Sequence, residues 1–530
     1  MNRRQLLSQG TAAALSVSAI ASSRSAESDD KLEECDVFVY GSTPGGLAAA
    51  IEAARNGCKV VLACPKHHAG GMTASGLCTT DAVRQHLFGG MVLEFIEGVR
   101  DDYLREMGEN SPDWPLIREG WFYEPSVAER VFDRMLEAEA DQLTFLRGHH
   151  LLSCRKTGDG ITSVALETPS GARLTISGGT FIDGTYEGDL AASAGVAYRV
   201  GREGCEEHGE SLAGIHYMDW KKGIQIQTPD TGEPSPAIQA FCARSIFTDD
   251  PKKLVPLEKP ESYEEHLPDL LPLLDDFSSG RVKRCTLGSK LARRKYQLNG
   301  SIIRHTSLNC PGVSWSWPEA QREHRARLER FHIDHAASYA WFLQNDPRVP
   351  DSIRALWKTA GRHEDEFVDN DHWPWQIYVR QGRRIEGREI VTQHHFTVDS
   401  KTKRTPTVDH PIAIGEHSFD VHPCHDRRFA VEGWMEGVLW YPQKATGPAQ
   451  PGQVPYGAML PKKLNNLLVP VALSSTHIAM SVLRMEPLWM TTGQIAGYAA
   501  SVAKESGIAV ANLDPNPLPA KLGIQVDPYA

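Results

Sequence analysis

At 530 residues, with 41% hydrophobic side chains, the chain is too long for one ordinary core and too apolar to be disordered or fibrous. A net charge of −11 and a pI near 6.0 exclude the concentrated basic face of a nucleic-acid binder. The densest basic run, Arg293-Arg294-Lys295, reads as a solvated face.

The N-terminus reads as an address. Arg3 and Arg4 precede a moderately apolar stretch at 11–21, and Ala19-Ile20-Ala21 offers a small-x-small cleavage site. This pattern is similar to a bacterial twin-arginine export signal over 1–26 and predicts a periplasmic or extracellular location. An ordinary secretory peptide or an uncleaved anchor is the alternative. No later apolar run is long enough for an integral membrane segment.

Residues 37–54 organise the rest: Val-Phe-Val-Tyr, then Gly-Ser-Thr-Pro-Gly-Gly, then an alanine-rich helix closed by Asn56-Gly57. With a second apolar strand at 59–63, this is the opening β-α-β of a dinucleotide fold, whose helix N-terminus offers N–H groups and a positive dipole end to a pyrophosphate. Gly41, Gly45 and Gly46 belong to the turn. The pattern departs from G-x-G-x-x-G at Thr43, where a second glycine is expected. It departs again at Cys64, where an acidic ribose partner is expected. A tight turn with no ligand is the alternative.

A helix is predicted over 125–140, and short strands over 143–147, 151–155, 161–166, 173–177 and 181–183. A long helix is predicted over 318–345. The ten cysteines contain no C-x-x-C pair, so their spacing does not support an iron–sulfur cluster, and disulfide pairing stays open. His417, Asp420, His422, Cys424 and His425 crowd one stretch ending at Asp426. One short loop rarely closes a tetrahedral site, so no metal is expected.

Four stretches combine with the glycine turn. They are His68-Ala-Gly-Gly-Met-Thr-Ala-Ser-Gly76, Phe181-Ile-Asp-Gly-Thr-Tyr-Glu-Gly-Asp189, Asn466-Leu-Leu-Val-Pro470, and Arg484-Met-Glu-Pro487 with Gly493-Gln-Ile-Ala-Gly497. Together they resemble the FAD-dependent oxidoreductase family, closest to its exported branch. The likeness is more distant to the heterodisulfide reductase flavin subunit and to fumarate-reductase-type flavoproteins. The resemblance implies an α/β fold, in which a Rossmann-like FAD-binding domain at 35–200 and 446–505 brackets an inserted α+β substrate domain at 201–445. A tail follows at 506–530. It also implies FAD contacts at Gly70, Gly71, Met72, Gly76, Asp183, Thr185, Gly493 and Arg484, besides those at the turn and Cys64. For Arg484 a salt bridge to Glu486 is the competing reading. His67 and His68 lie near the region where covalent attachment would occur.

The same resemblance places 372–384 on the substrate side of the flavin. His372, Arg380 and His477 are the candidate catalytic groups there, and Arg384 is a second arginine suited to an anion. No second glycine fingerprint is evident, so a small organic substrate is expected to reduce FAD directly, with electrons leaving to an unknown acceptor. The alternatives are a non-catalytic carbohydrate-associated scaffold and an NAD-binding enzyme, which Cys64 disfavours.

Overall fold

The computed structural model describes residues 31–219, 224–299, 305–425, 435–439 and 449–530. The expected export signal and Asp426 lie outside the described residues.

Strand β1 (Lys31–Tyr40), helix α1 (Pro44–Arg55) and strand β2 (Val60–Cys64) form the expected β-α-β. The strands run parallel, with Val37 opposite Val60 and Tyr40 opposite Ala63. All five β2 residues are buried, which is why that stretch reads as unbroken apolar text rather than as an alternation. Gly57 takes φ +76° after the Asn56 cap and ends α1. Helices α2 (Met91–Met107) and α3 (Pro125–Glu137) precede β3 (Leu143–Arg147), which extends the sheet in parallel beside β2.

Strands β4 (His150–Thr157), β5 (Gly160–Glu167) and β6 (Arg173–Asp183) follow. The two short strands expected at 173–177 and 181–183 are one strand of 11 residues. Glycines argue locally for a break at 178–179. There β6 stays paired with β1 along its length, Cys35 opposite Gly178 and Val37 opposite Thr180, and pairing overrides propensity. The first half of β6 also pairs antiparallel with β5, and its last residues pair in parallel with β7 (Leu467–Leu468). The sheet order is β3-β2-β1-β6-β5-β4, with β7 on β6.

The fold is thus a Rossmann-like α/β layer completed by the far end of the chain, with an α+β section inserted between β6 and β7. That section carries a five-stranded sheet centred on Ser245–Thr248, Lys295–Leu298 and Gly361–His363. It also carries helix α4 (Arg322–Asn345), which begins four residues later than expected because Trp317–Glu319 forms a separate 3-10 turn.

Helices α5 (His477–Leu483) and α6 (Glu486–Ser506) close the chain's return. A Cβ on Gly493 would meet the carbonyl of Gly45, and one on Gly497 the carbonyl of Ala49. Small residues spaced four apart therefore let α6 and α1 cross in backbone contact. Among the described residues no helix is long and apolar enough to cross a membrane.

Candidate functional site

A cavity of about 720 Å³ opens at the carboxyl ends of β1, β2 and β6, lined among others by Gly41, Ser42, Thr43, Cys64, Lys66, Gly71, Thr185, Tyr186 and Gln376. This is where an open parallel sheet places its ligand. Gly41 has φ +105°, and a Cβ there would lie 2.7 Å from the backbone of Gly184; one on Gly46 would meet the carbonyl of Gly41. Three glycines from two strand ends thus pack against one another. Thr43 has a specific task at the expected second glycine. It is the N-cap of α1: its hydroxyl accepts from Gly46 N at 3.2 Å and donates to the Gly184 carbonyl at 2.6 Å. Gly45 backs onto Trp489, whose carbonyl a Cβ would reach at 2.8 Å.

Cys64 lines the cavity, and its sulfur accepts from the Ser42 hydroxyl at 3.0 Å. Burial holds its thiol pKa above the ordinary value. Beside it, Lys66 bridges Glu329 at 2.6 Å and the Trp375 carbonyl at 2.9 Å, tying β2's end to the inserted section. Arg325 and Arg383 converge on Asp189 at 2.6 and 2.8 Å along the same wall. Asp183 does not line the cavity. Its carboxylate takes Thr185 N at 3.0 Å, Thr185 Oγ1 at 2.6 Å and Ala191 N at 2.8 Å, so it braces the turn after β6. Burial lifts it to about 6. Thr185 does face the cavity.

At the inner end, Gly70 (φ +100°) and Gly71 (φ +50°) fold the chain tightly, Gly70 against Phe132 and Gly71 against the Tyr186 hydroxyl. That hydroxyl accepts from Met72 N at 2.9 Å and donates to Glu486 Oε1 at 2.7 Å. Glu486 Oε2 and Trp489 Nε1, one helical turn apart on α6, are buried with no hydrogen-bond partner. Burial pushes the Glu486 carboxyl up to about 8. Gly76 (φ +101°) presses on the backbone of Arg244, and Ser75 Oγ accepts from Gln376 N at 3.0 Å. Gly493 serves the α1–α6 crossing, a correction to its expected place against the cofactor.

Beyond Gln376, residues 240–244 and 376–380 run antiparallel, bridged at Cys242 and Tyr378. Arg380 is 1% exposed and gives Nη1 to the Ala240 carbonyl at 2.6 Å and Nη2 to Cys242 Sγ at 3.2 Å. Arg244 and Arg380 lie over the Tyr378 ring, 4.7 and 4.4 Å from its centre. Arg484 donates to the Tyr378 hydroxyl at 2.9 Å and pairs with Asp420 at 2.6 Å. The competing Glu486 bridge is not formed, because Glu486 faces Tyr186; Arg484 is salt-bridged to Asp420 instead. Arg384 pairs with Glu203 at 2.8 Å and donates to the carbonyls of Gly201 and Ser475, its Nε buried without a partner.

His477 Nδ1 lies 3.1 Å from Gln381 Oε1, which can only accept, so the ring proton sits on Nδ1 and Nε2 presents a lone pair. Nε2 is buried without a partner. Burial and the cations of Arg202 and Arg384 hold His477 well below the ordinary histidine value, so it is neutral. Burial takes His422 and His216 down to about 3 as well, helped by Arg380 and by Arg202 respectively. His372 stands apart: half-buried at φ +59°, its Nδ1 meets the Glu366 carbonyl at 3.2 Å, and it joins neither Arg380 nor His477. His68 is held by Glu129 and Asp369 at 2.7 and 2.9 Å. Arg244, Tyr378, Tyr186 and Glu486 were not singled out from sequence as site residues. Glu486 and Tyr186 stood inside quoted stretches and Tyr378 inside the range 372–384; Arg244 sits in a run with no pattern to mark it.

The sequence model of the family described as FAD dependent oxidoreductase matches residues 36–522. No curated protein matches the chain. Among solved structures, it is similar to L-proline dehydrogenase from P. horikoshii at 13% identity and TM-score 0.20, over 36% of this chain and 27% of that one. It is similar to thioredoxin reductase from T. acidophilum at 18% identity and TM-score 0.17, over 28% and 35%. It is similar to OxyS anhydrotetracycline hydroxylase from Streptomyces rimosus at 13% identity and TM-score 0.23, over 43% and 41%. The matched part spans less than half the length of each. At such TM-scores the family match carries the weight.

Proposed function

The chain belongs to the FAD-dependent oxidoreductase family, and on that footing we propose that it oxidises a small organic substrate directly and does so after export from the cytoplasm. Its residues fit the cofactor. The cavity at the glycine turn suits the dinucleotide half, with the Gly45 N–H at the start of a 12-residue helix. The orphaned Trp489 Nε1 and Glu486 Oε2 suit ring atoms at the inner end. When bound, FAD supplies the two-electron acceptor.

The single observation that carries the reading is a buried polar cluster on the segment that leaves the cavity wall at Gln376. Gln376 lines the cavity, and Tyr378 and Arg380 follow two and four residues later on the same strand-like segment. In that cluster Arg380 fixes positive charge and Tyr378 separates it from Arg484; neutral His477, linked to the segment through Gln381, is the proposed acceptor for the proton that leaves with substrate oxidation. Water is excluded by burial. Support for export comes from Arg3-Arg4 and the apolar stretch after them; the twin-arginine route carries folded, cofactor-loaded protein. The electron acceptor is a separate partner.

Anaerobic mixing tests this. Small organic donors should bleach the flavin band, and His477→Ala should slow that bleaching by about a hundredfold or more. Rapid reduction by NADPH with none by organic donors would sink the reading.

A further inference from the structure

Every other arginine of the buried cluster has a carboxylate: Arg202 has Glu436 at 2.6 Å, Arg384 has Glu203 at 2.8 Å and Arg484 has Asp420 at 2.6 Å. Arg244 and Arg380 have none among the described residues. Arg380 is at least anchored, by one carbonyl and one sulfur, with its Nε left over. Arg244 is 5% exposed, its Nε is buried without a partner, and its guanidinium lies over the face of Tyr378. Burying a guanidinium without an anion costs stability, and natural cores rarely tolerate it without return.

Backbone geometry aims the two at one place. The Cys242–Tyr378 bridge sets 242–244 against 376–378, so Tyr378 lies between Arg244 and Arg380. Gly76, five residues after the cavity-lining Gly71, presses on Arg244's own backbone. The uncompensated charge therefore lies behind the two segments that carry Gly71 and Gln376 into the cavity wall. Of the two acids near the cluster, Asp420 is already shared by Arg484 and His422, and Asp81 acts on Tyr378 and Arg484 through space without an ion pair to Arg244.

Resting on the proposed oxidation of a small organic substrate, we infer that the substrate bears a carboxylate and that Arg244 is the residue that grips it. Arg244 keeps its guanidinium fork free for the bidentate geometry a carboxylate offers. Arg380, held in place by Ala240 and Cys242, adds fixed charge without moving. Tyr378 spaces the two and sets the depth to which the anion enters.

The test is a titration of the flavin-loaded full chain with acetate and malonate, with malonamide as the uncharged counterpart. It is read by melting temperature and by perturbation of the flavin absorption band. A carboxylate should raise the melting temperature saturably and malonamide should not. Arg244→Gln should weaken carboxylate binding about thirtyfold or more, with Arg244→Lys retaining part of it. Without ligand, Arg244→Gln should melt at or above the parent temperature, since an unpaired buried cation has been removed; a purely structural arginine would show the reverse. Carboxylate binding undiminished in Arg244→Gln, or no carboxylate response from flavin-loaded protein, overturns the assignment and leaves the redox function standing. Carboxylate binding through Arg244 in a chain that takes up no flavin would support the grip and overturn the redox function instead.

Discussion

Thr43 shows how one side chain can replace a sequence rule. The second glycine of the dinucleotide fingerprint is absent, yet the position is occupied by a helix cap that also ties the turn to Gly184. Thr43→Gly should therefore lose a tie between β1 and β6 rather than simply open room. Thr43→Ala should cost about 1 kcal/mol in urea unfolding, the usual value of an N-cap. Arg484 is a second case. Arg484→Leu would leave the half-buried Asp420 without its guanidinium and should cost roughly 2–3 kcal/mol, where an exposed ion pair would cost under about 1 kcal/mol. Glu486 gives a pH signature. Its folded-state carboxyl lies near 8, above the ordinary 4.5, so the folded protein holds a proton the unfolded chain releases. That contribution is fully present below about pH 4.5 and is lost as pH rises through about 8. Glu486→Gln should flatten the fall in urea midpoint between about pH 5 and about pH 8; an equal fall in both proteins would contradict the assignment.

At the scale of elements, the contact between α1 and α6 joins the two ends of the chain. Gly493→Val would drive a branched side chain into the Gly45 backbone, which cannot move aside. It should cost about 3 kcal/mol or more, the upper range for overpacking. Gly57→Ala meets nothing within 4 Å and should cost only the strain of φ +76°, about 1 kcal/mol. Equal losses in the two variants would show that the crossing is not tight. The first β-α-β was legible because its hydrophobic period switches from strand to helix within a few residues. The unbroken β6 was not, because its two glycines are held by neighbours on both sides that local text does not reveal. Arg380 was legible as an arginine in a distinctive stretch. Arg244 was not, since only tertiary pairing of two distant segments brings it to Tyr378. His372 was misplaced for the converse reason: it lies near Arg380 in sequence but turns off at a left-handed residue.

For the whole molecule, the return of the chain's end to complete a sheet begun at its start sets the inserted section over the cavity. Lys66 reaching Glu329 and Trp375, and Ser75 meeting Gln376, fasten the two across the site. The proposed export in a cofactor-loaded state would need this closure before translocation. Replacing Arg3 and Arg4 together by lysine should leave folded, flavin-loaded protein in the cytoplasm, read by fractionation; unchanged export would remove the twin-arginine route. The central claim, that the cavity at the glycine turn holds FAD, is tested most directly by the absorption spectrum of the purified full chain after incubation with FAD and removal of the excess. Flavin bands at one equivalent per chain, lost in Gly45→Val, are the predicted result. A colourless protein that takes up no FAD while remaining folded would contradict it.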